Sequence, residues 1–444
     1  MNDSFILLKN LAQEMVTTAH NFIKKYNDKS IVSLREIRRF NIFYEFFFEY
    51  LRQRKENTDE LMNSEEDNFY KECGYLTLHR YSIILGVFMC YYLRIVDNDT
   101  RKQFNEIMNK EMASLDPFLA NKDFLEIPNR EELYVLKNME IEKGIAQNRA
   151  LLDNTFSLFV AINNKIPIFI VGKPGCSKSL SVQLINKSME GETSKKQLFK
   201  KLPKIIMNSY QGSMTSTSKG VERVFTRAKE KYKRLSKENK EKNISMIFFD
   251  EMGLAEHSPN NPLKVIHAKL DEALDERDDK LAFVGISNYI LDASKMNRGM
   301  HLSIPDPSKE DIKETAFIIG KSYDEKMANR FKLFYENLGI SYYKYKNYLS
   351  IVLKKYGKED FHGNRDFYHL IKYSAREIVK RFKKNELNKV NIEKEIAFLG
   401  FERNFGGLKF ISQNSNLLEI TSIKLIKQLY SQNQESDNYE ILKR

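Results

Sequence analysis

The sequence predicts a doubly wound α/β domain built on a five-stranded parallel sheet, with helical regions before and after it in the chain. Between about residues 140 and 306, short apolar runs alternate with amphipathic helical patterns. Each run is too short for a buried helix and too continuous for a half-exposed strand, so strands covered on both faces fit best. The five predicted strands are residues 166–171, 204–210, 244–250, 281–287 and a weaker one at 300–304.

Residues 1–130 are predicted to form a helical N-terminal region packed against the sheet domain. Aromatic residues are bunched in NIFYEFFFEYL, a pattern more typical of a core than of a cofactor pocket. The most apolar run, residues 82–93, is shorter than the ~18 residues that a bilayer span needs. We therefore expect a buried helix here and no transmembrane segment.

Amphipathic helices are predicted between the strands and in the C-terminal part of the chain. The large α/β domain is assigned to residues 140–306, a helical lid to 307–407 and a tail helix to 408–444. The predicted apolar faces are Val221, Val224, Phe225, Ala228, Tyr232 and Leu235; Leu263, Ile266, Leu270 and Leu274; and Phe367, Leu370, Ile371, Ile378 and Phe382.

Charge and cysteine content narrow the classes of partner and compartment. The net charge of +12 and pI of about 9.2 would suit a nucleic-acid partner. However, the lysines are spread through the chain and accompanied by glutamates, so a nucleic-acid partner is not expected. Three scattered cysteines, Cys73, Cys90 and Cys176, do not suit a disulfide framework or a zinc cluster. We expect a reducing, cytoplasmic location.

A candidate phosphate-binding loop, VGKPGCSKSL, follows the first predicted strand and precedes a helix. Backbone amides and the helix N-terminus can bind phosphate oxygens, with Lys178 reaching the β- and γ-phosphates and Ser179 contacting Mg²⁺. Ser177 stands where this motif usually has glycine. A small serine is tolerated if only close approach is needed, but a positive φ would cost about 1 kcal/mol or more. The predicted nucleotide-binding residues are Gly172, Lys173, Pro174, Gly175, Cys176, Ser177, Lys178, Ser179 and Leu180.

Polar residues end two further predicted strands. Asp250 and Glu251 finish the apolar run ISMIFFDE, where two acids are costly unless they face a cation or a solvated site. Asp250 suits Mg²⁺ binding and Glu251 suits activation of a water, although both acids could instead cap a surface loop. Asn288 ends LAFVGISN, where it could position water or touch the γ-phosphate, or simply form a turn.

The order of these motifs resembles that of the AAA+ ATPases, and within them the dynein-like modules of mysterin. The resemblance covers about residues 140–410. It rests on GIAQNRAL, VGKPGCSKSLS, SYQGSMTSTSKGV, DEMGLAEHSPNNPLKVIH, GISNYILDASKMNRGM, FHGNRDFYHLIK and RNFGG, which occur in that order. In such modules a serine in place of the last loop glycine is normal, which favours a working site.

The resemblance implies a role for each matching residue. Lys178 and Ser179 would contact phosphate and Mg²⁺, Asp250 and Glu251 would form the second acidic motif, and Asn288 would be the first sensor. Two arginines are added to this set only by the resemblance. Arg298 would be the arginine finger that reaches a neighbouring module, or else a helix-terminal arginine bonded to its own carbonyls. Arg365 would be the second sensor, or else a member of a surface ion pair.

Two functions remain open at this stage. The first is an Mg-ATP hydrolase that drives domain movement on a protein partner, either as an oligomer or as part of a larger multi-module assembly linked to ubiquitin transfer. The second is a nucleotide-gated scaffold with negligible turnover. The acid pair Asp250 and Glu251 favours the hydrolase, because a pure switch does not need a water activator. Three cysteines and seven histidines leave no zinc-ligand set for a RING, so ligase activity itself is not expected of this chain.

Overall fold

The computed structural model of the chain divides it into two compact units. The first contains Met1–Glu140, Ala150–Lys173 and Ser177–Asp306, and the second contains Ile141–Arg149, Pro174–Cys176 and Pro307–Arg444. The structure describes residues 2–26, 32–56, 69–142, 144–275, 281–292, 296–355, 362–384, 391–407, 409–411 and 419–441.

The N-terminal region is helical and belongs to the same unit as the sheet. Its helices are α1 (Asn2–Tyr26), α2 (Leu34–Glu56), α3 (Tyr75–Cys90), α4 (Asn98–Leu115) and α5 (Glu126–Lys137). Helix α4 begins after Asp97, whose carboxylate accepts a hydrogen bond from the Thr100 backbone amide. The helical N-terminal region predicted at residues 1–130 lies in the same unit as the sheet, where it forms a helical layer.

Among the described residues, one stretch, Tyr75–Arg94, is long and apolar enough to span a membrane by length and composition. It consists of α3 and the turn that follows, and most of it is buried within the protein. Leu85, Val87 and Phe88 have no exposed surface at all. This stretch is packed as a core helix, as its sequence predicted.

The five predicted strands form one parallel sheet, which confirms the predicted fold class. They are β1 (Ile168–Val171), β2 (Lys204–Gln211), β3 (Asn243–Asp250), β4 (Ala282–Ser287) and β5 (Met300–Ser303). The order across the sheet is β2-β3-β4-β1-β5, so β4 lies between β3 and β1, and β5 is an edge strand. The register pairs Val171 with both Ser287 and Ser303, which aligns the carboxyl ends of three strands.

Helices connect the strands and cover the sheet. They are α6 (Arg149–Asn163), α7 (Lys178–Ser188), α8 (Gln197–Lys200), α9 (Ser218–Lys233), α10 (Lys237–Glu241), α11 (Met252–Glu256) and α12 (Lys264–Asp275). One core cluster joins the sheet to the predicted apolar faces of α9 and α12, through Phe169, Phe249 and Phe283 on one side and Phe225 and Leu270 on the other. The predicted Leu274 lies among residues whose side chains are not described.

The second unit is a helical layer with a small hairpin. Its elements are α13 (Lys309–Tyr323), α14 (Glu325–Arg330), α15 (Lys332–Lys355), α16 (Asn364–Lys383), α17 (Ile392–Asn404), β6 (Lys409–Ile411), β7 (Glu419–Thr421) and α18 (Ser422–Ile441). Phe367, Leu370, Ile371 and Ile378 are buried, as predicted, but the prediction was wrong for Phe382, which is 45% exposed near the end of α16. The antiparallel pair β6–β7 precedes the tail helix, and its short strands gave no signal in the sequence.

Candidate functional site

The candidate site of the sheet unit lies at the carboxyl edge of the central strands. Gly172 follows β1, Asn288 follows β4, and β3 ends at Asp250. The Gly172 amide donates to the Ser287 carbonyl at 3.2 Å, which fixes the exit of β1 against the end of β4. Since neighbouring strands are ~4.8 Å apart, the exit of β1 lies roughly 10 Å from the acids that end β3. Ligands of doubly wound sheets bind at such an edge.

Lys178 is the first residue of α7, and its side chain is buried under the loop that follows β1. Its ammonium donates to the carbonyl oxygens of Gly172 and, at 2.9 Å, of Lys173. Ser179 and Leu180 follow in the first helical turn and are half-buried. The Lys173 side chain points elsewhere, to an exposed ion pair with Asp306 at 3.0 Å. The loop therefore places one cation at the helix N-terminus, where backbone amides also favour an anion.

Ser177 adopts a left-handed conformation, with φ of 56° and ψ of 16°. This answers the question left open by the sequence, because the position does require a positive φ that favours glycine. The Ser177 side chain forms no cap hydrogen bond, although its carbonyl accepts from the Ser181 amide at 2.9 Å. The serine therefore carries backbone strain at a candidate functional site, a common location for such strain.

The two acids and Asn288, the predicted first sensor, form a connected group. Asn288 Nδ2 donates to Glu251 Oε2 at 2.9 Å, and Asp250 Oδ1 accepts from the Glu251 backbone amide at the same distance. Glu251 also has a positive φ, 53°, directly after β3. All three residues are half-buried. The tight backbone turn places the Glu251 carboxylate beside β4 while Asp250 stays at the end of β3.

The donor set around Lys178 fits a magnesium nucleotide. Mg²⁺ is usually held by one or two protein oxygens together with phosphate oxygens and water, and Ser179 and Asp250 offer a hydroxyl and a carboxylate. Within the described part of the chain, no group of three or more His, Cys, Asp or Glu residues could hold a metal. These described residues therefore favour a metal that phosphate also binds over a metal bound by the protein alone.

Pro174, Gly175 and Cys176 group with the helical unit. The Tyr368 hydroxyl donates to the Gly175 carbonyl at 2.9 Å, and the Asn364 amide lies 3.7 Å from Cys176 Sγ. Gly175 has a φ of 87°, and a Cβ placed there would lie 3.0 Å from the Asn364 Cβ. Within this unit, both the left-handed conformation and the close approach explain a glycine at position 175.

Arg365 is the second residue of α16 and is exposed. Its backbone nitrogen would lie 3.4 Å from a Cβ built on Gly175. The side chain of the predicted second sensor therefore starts beside Gly175, within the same unit. The helix is held at this end by the Asp366 carboxylate, which accepts from the Gly363 amide at 2.9 Å.

Arg298 is not part of the carboxyl-edge group. It lies two residues before β5, whose first residue, Met300, pairs with Ile168 at the amino end of β1. The length of β5 alone separates it from that edge by about 10 Å. Its role as an arginine finger for a neighbouring molecule stays a prediction.

Sequence reasoning missed two residues that shape the acid group. Gly212 follows β2; its amide donates to the Asp250 carbonyl at 2.8 Å, and a Cβ there would clash with the Glu251 carbonyl oxygen. Ser287 Oγ donates to the Tyr289 carbonyl at 2.6 Å and so fixes the turn that carries Asn288. A glycine directly after a predicted strand was the available signal for Gly212; Ser287 gave none.

Comparison of the sequence with known proteins identifies a family. A family model described as the RNF213 AAA domain matches residues 144–311. The chain carries an AAA+ module of the mysterin type. The match begins before α6 and ends in the first turn of α13, so it includes the sheet, the loop and the acid group.

Relatives of the mysterin-type module are very large proteins. The chain is 36% identical over 307 residues to E3 ubiquitin-protein ligase rnf213-beta of Danio rerio, which covers 65% of this chain and 6% of that protein. It is 31% identical over 371 residues to E3 ubiquitin-protein ligase RNF213 of Homo sapiens, covering 81% of this chain and 7% of the relative. It is 28% identical over 432 residues to E3 ubiquitin-protein ligase RNF213 of Mus musculus, covering 91% of this chain and 8% of the relative. The chain thus spans under a tenth of the length of these relatives.

Proposed function

We propose that this mysterin-type module binds Mg-ATP and hydrolyses it, and that turnover drives domain movement on a protein partner. The observation that carries the proposal is the hydrogen bond from Asn288 to Glu251, beside Asp250 and at the same edge as Lys178. A carboxylate held in one orientation next to a phosphate loop suits the activation of a water for attack on the γ-phosphate. Bound Mg²⁺ would neutralise charge on the β- and γ-phosphates.

Different residues of the chain would bind the phosphates, hold the metal and activate the water. The Lys178 ammonium would neutralise phosphate charge, and the amides that open α7 would bind phosphate oxygens. Ser179 and Asp250 would hold the metal through a hydroxyl and a carboxylate. Glu251, oriented by Asn288, would accept a proton from the attacking water, and Arg298 and Arg365 would serve as arginine finger and second sensor.

The competing function is a nucleotide-gated scaffold with negligible turnover. The observation that favours it is that two members of the site are held by internal contacts: the Lys178 ammonium donates to two loop carbonyls, and the Glu251 carboxylate accepts from Asn288. A site so connected could report nucleotide binding without chemistry. The two functions differ in one measurable quantity, the steady-state rate of phosphate release.

Replacing Glu251 with Gln tests the proposal most directly. We expect the E251Q protein to bind Mg-ATP with the affinity of the parent, measured by titration calorimetry, and to release phosphate at least about a hundredfold more slowly, the scale of a lost general base. E241Q, on the exposed helix α10, is the matched control and should match the parent. Negligible phosphate release by the parent itself would favour the scaffold, and a fast E251Q protein would make Glu251 a bystander.

We also propose that the module works within a larger assembly, as an oligomer or as one module of a multi-module mysterin-like protein linked to ubiquitin transfer. The chain spans less than a tenth of the length of these relatives, which supports this context. A cytoplasmic location is proposed with it. Mass measurement with and without a non-hydrolysable ATP analogue tests the assembly, since a mass that never exceeds one chain would exclude self-assembly under those conditions.

A further inference from the structure

The N-terminal helical layer is attached to β5, the edge strand of the sheet, through two buried arginines. Arg101 of α4 donates to the carbonyl of Ser303, the last residue of β5, at 3.0 Å. Arg39 of α2 donates to the Asn297 carbonyl at 2.7 Å, three residues before β5 begins. Both side chains lie in the sheet unit and are almost fully buried. The contact at Asn297 is next to the predicted arginine finger, Arg298.

Arg39 is itself held in a buried cluster of charges. Its Nη1 donates to Glu36 Oε1 at 2.6 Å, and Arg94 Nη2 donates to the same oxygen at 3.1 Å. The other oxygen of the Glu36 carboxylate accepts from the Ser33 amide at 2.7 Å. Because the guanidinium is planar and its donors are fixed in a fork, pairing with Glu36 also fixes the direction of Nη2 towards Asn297.

The backbone on the other side of Arg298 is fixed by the sheet. A Cβ on Gly299 would lie 2.6 Å from the Pro167 carbonyl oxygen, so this glycine is packed directly against the chain entering β1. The Met300 amide donates to the same Pro167 carbonyl at 2.6 Å. The peptide before Arg298 is thus held by the N-terminal layer, and the peptide after it by β1.

We infer that Arg39 is a positioning residue for Arg298, and that the N-terminal layer orients the arginine finger offered to a neighbouring molecule. This inference rests on the proposed function, because it takes Arg298 as an arginine finger. Arg39 touches neither nucleotide nor the reacting atoms; it acts through the Asn297 carbonyl. An arginine finger must meet a γ-phosphate on another chain, and small displacements of a catalytic group reduce rates by up to about a hundredfold.

The test separates the chain that gives the finger from the chain that receives it. A donor carries K178A, which disables its own site but keeps Arg298; an acceptor carries R298A and keeps an intact site. Mixed in one oligomer, the two should hydrolyse ATP where a donor's Arg298 meets an acceptor's site. Adding R39M to the donor should reduce this recovered rate about 10- to 100-fold. Adding R39M to the acceptor should change it less than about twofold, since that chain already lacks its finger.

A general loss of structure would not produce this asymmetry. R80M is the matched control, because Arg80 is also a largely buried arginine of the helical layer but pairs with Asp116 inside it. R39K, which keeps the charge next to Glu36 and loses the fork, should act as R39M does but more weakly. Equal losses from R39M in donor and acceptor, or no loss in either, would overturn the inference alone. No recovery in the unaltered mixture would overturn the arginine-finger assignment and this inference with it.

If the protein stays monomeric, hydrogen exchange tests the inference instead. R39M should speed exchange of the amides at residues 296–300 at least about tenfold over the parent while the amides of Ile168–Val171 keep their rates. R80M should leave residues 296–300 unchanged. Unchanged exchange at 296–300 in R39M, or faster exchange throughout β1, would contradict a local positioning role.

Discussion

The amide of Asn288 donates to the carboxylate of Glu251 at 2.9 Å, joining the residue after β4 to the residue after β3. This contact links the predicted first sensor to the predicted water activator. In the parallel order β3-β4-β1, β4 is the strand between the acids and the phosphate loop. A change at Asn288 is therefore expected to affect turnover through the orientation of Glu251.

Replacing Asn288 with Ala should reduce the turnover rate by about 10- to 100-fold. A hydrogen bond to a charged group contributes about 1.5–3 kcal/mol, and each ~1.4 kcal/mol corresponds to a tenfold change in rate. ATP affinity should stay near that of the parent, because Asn288 acts on Glu251. Steady-state phosphate release and calorimetric binding measure the two quantities separately. N138A, which removes an amide bonded only locally to Tyr134, is the control. Equal turnover in N288A and N138A would contradict this role.

The loop serine at position 177 gives a prediction about strain. Because φ is positive and the side chain caps nothing, S177G should keep ATP affinity and raise the free energy of unfolding by about 1 kcal/mol at most. S177V should lower both stability and affinity, since a β-branched residue is poorly tolerated at positive φ. Denaturant unfolding and calorimetry provide the measurements. An S177V protein as stable as the parent would show that the loop adopts another backbone conformation in solution.

Burial and the nearby Arg94 lower the pKa of His301 to about 3. An unfolded histidine binds a proton near pH 6.5, so between pH 6.5 and 3 the unfolded chain holds more protons and stability falls as pH falls. Going from pH 7 to pH 5, this one group should reduce the free energy of unfolding by about 2 kcal/mol. Above about pH 7.5 it should contribute almost no slope, because the unfolded histidine is then deprotonated too.

Denaturant unfolding at several pH values tests the His301 prediction. H301Q keeps an amide that can bond to Ser303 in place of the imidazole, and removes the titration. Its stability should depend less steeply on pH between 7 and 5 than that of the parent. H369Q, at an exposed position of α16, is the control and should keep the parent's slope. A parent and an H301Q protein with identical slopes would assign the pH dependence to other groups.

The sheet could be predicted because each strand shows a pattern within its own few residues. Strands buried on both faces leave continuous apolar runs, and all five were found with bounds within two residues of those observed. Asp250 and Asn288 could be placed at one edge because parallel strands all end on the same side of a sheet. The sequence left open whether Ser177 has a positive φ, since the type of a residue does not fix its backbone dihedral angles.

What the sequence could not show was contact between distant segments. Arg39 and Asn297 are 258 positions apart, and nothing in either local pattern indicates their hydrogen bond. Gly212 and Glu251 likewise meet only because β2 lies next to β3. The N-terminal helices were expected to pack against the sheet domain, but their specific attachment to β5 depends on long-range pairs that the sequence does not show.

Two lysines within seven residues of the end of β1 should behave in opposite ways when each is replaced by Ala. Lys178 is buried and donates to the carbonyls of Gly172 and Lys173, so K178A should abolish measurable ATP binding by calorimetry, because it removes the cation at the helix N-terminus. The Lys173 side chain forms an exposed ion pair with Asp306, and its carbonyl accepts from Lys178. K173A should keep ATP binding within about threefold, as expected for an exposed ion pair. Circular dichroism of both proteins controls for folding, and unchanged affinity in a folded K178A protein would remove the loop from the nucleotide site.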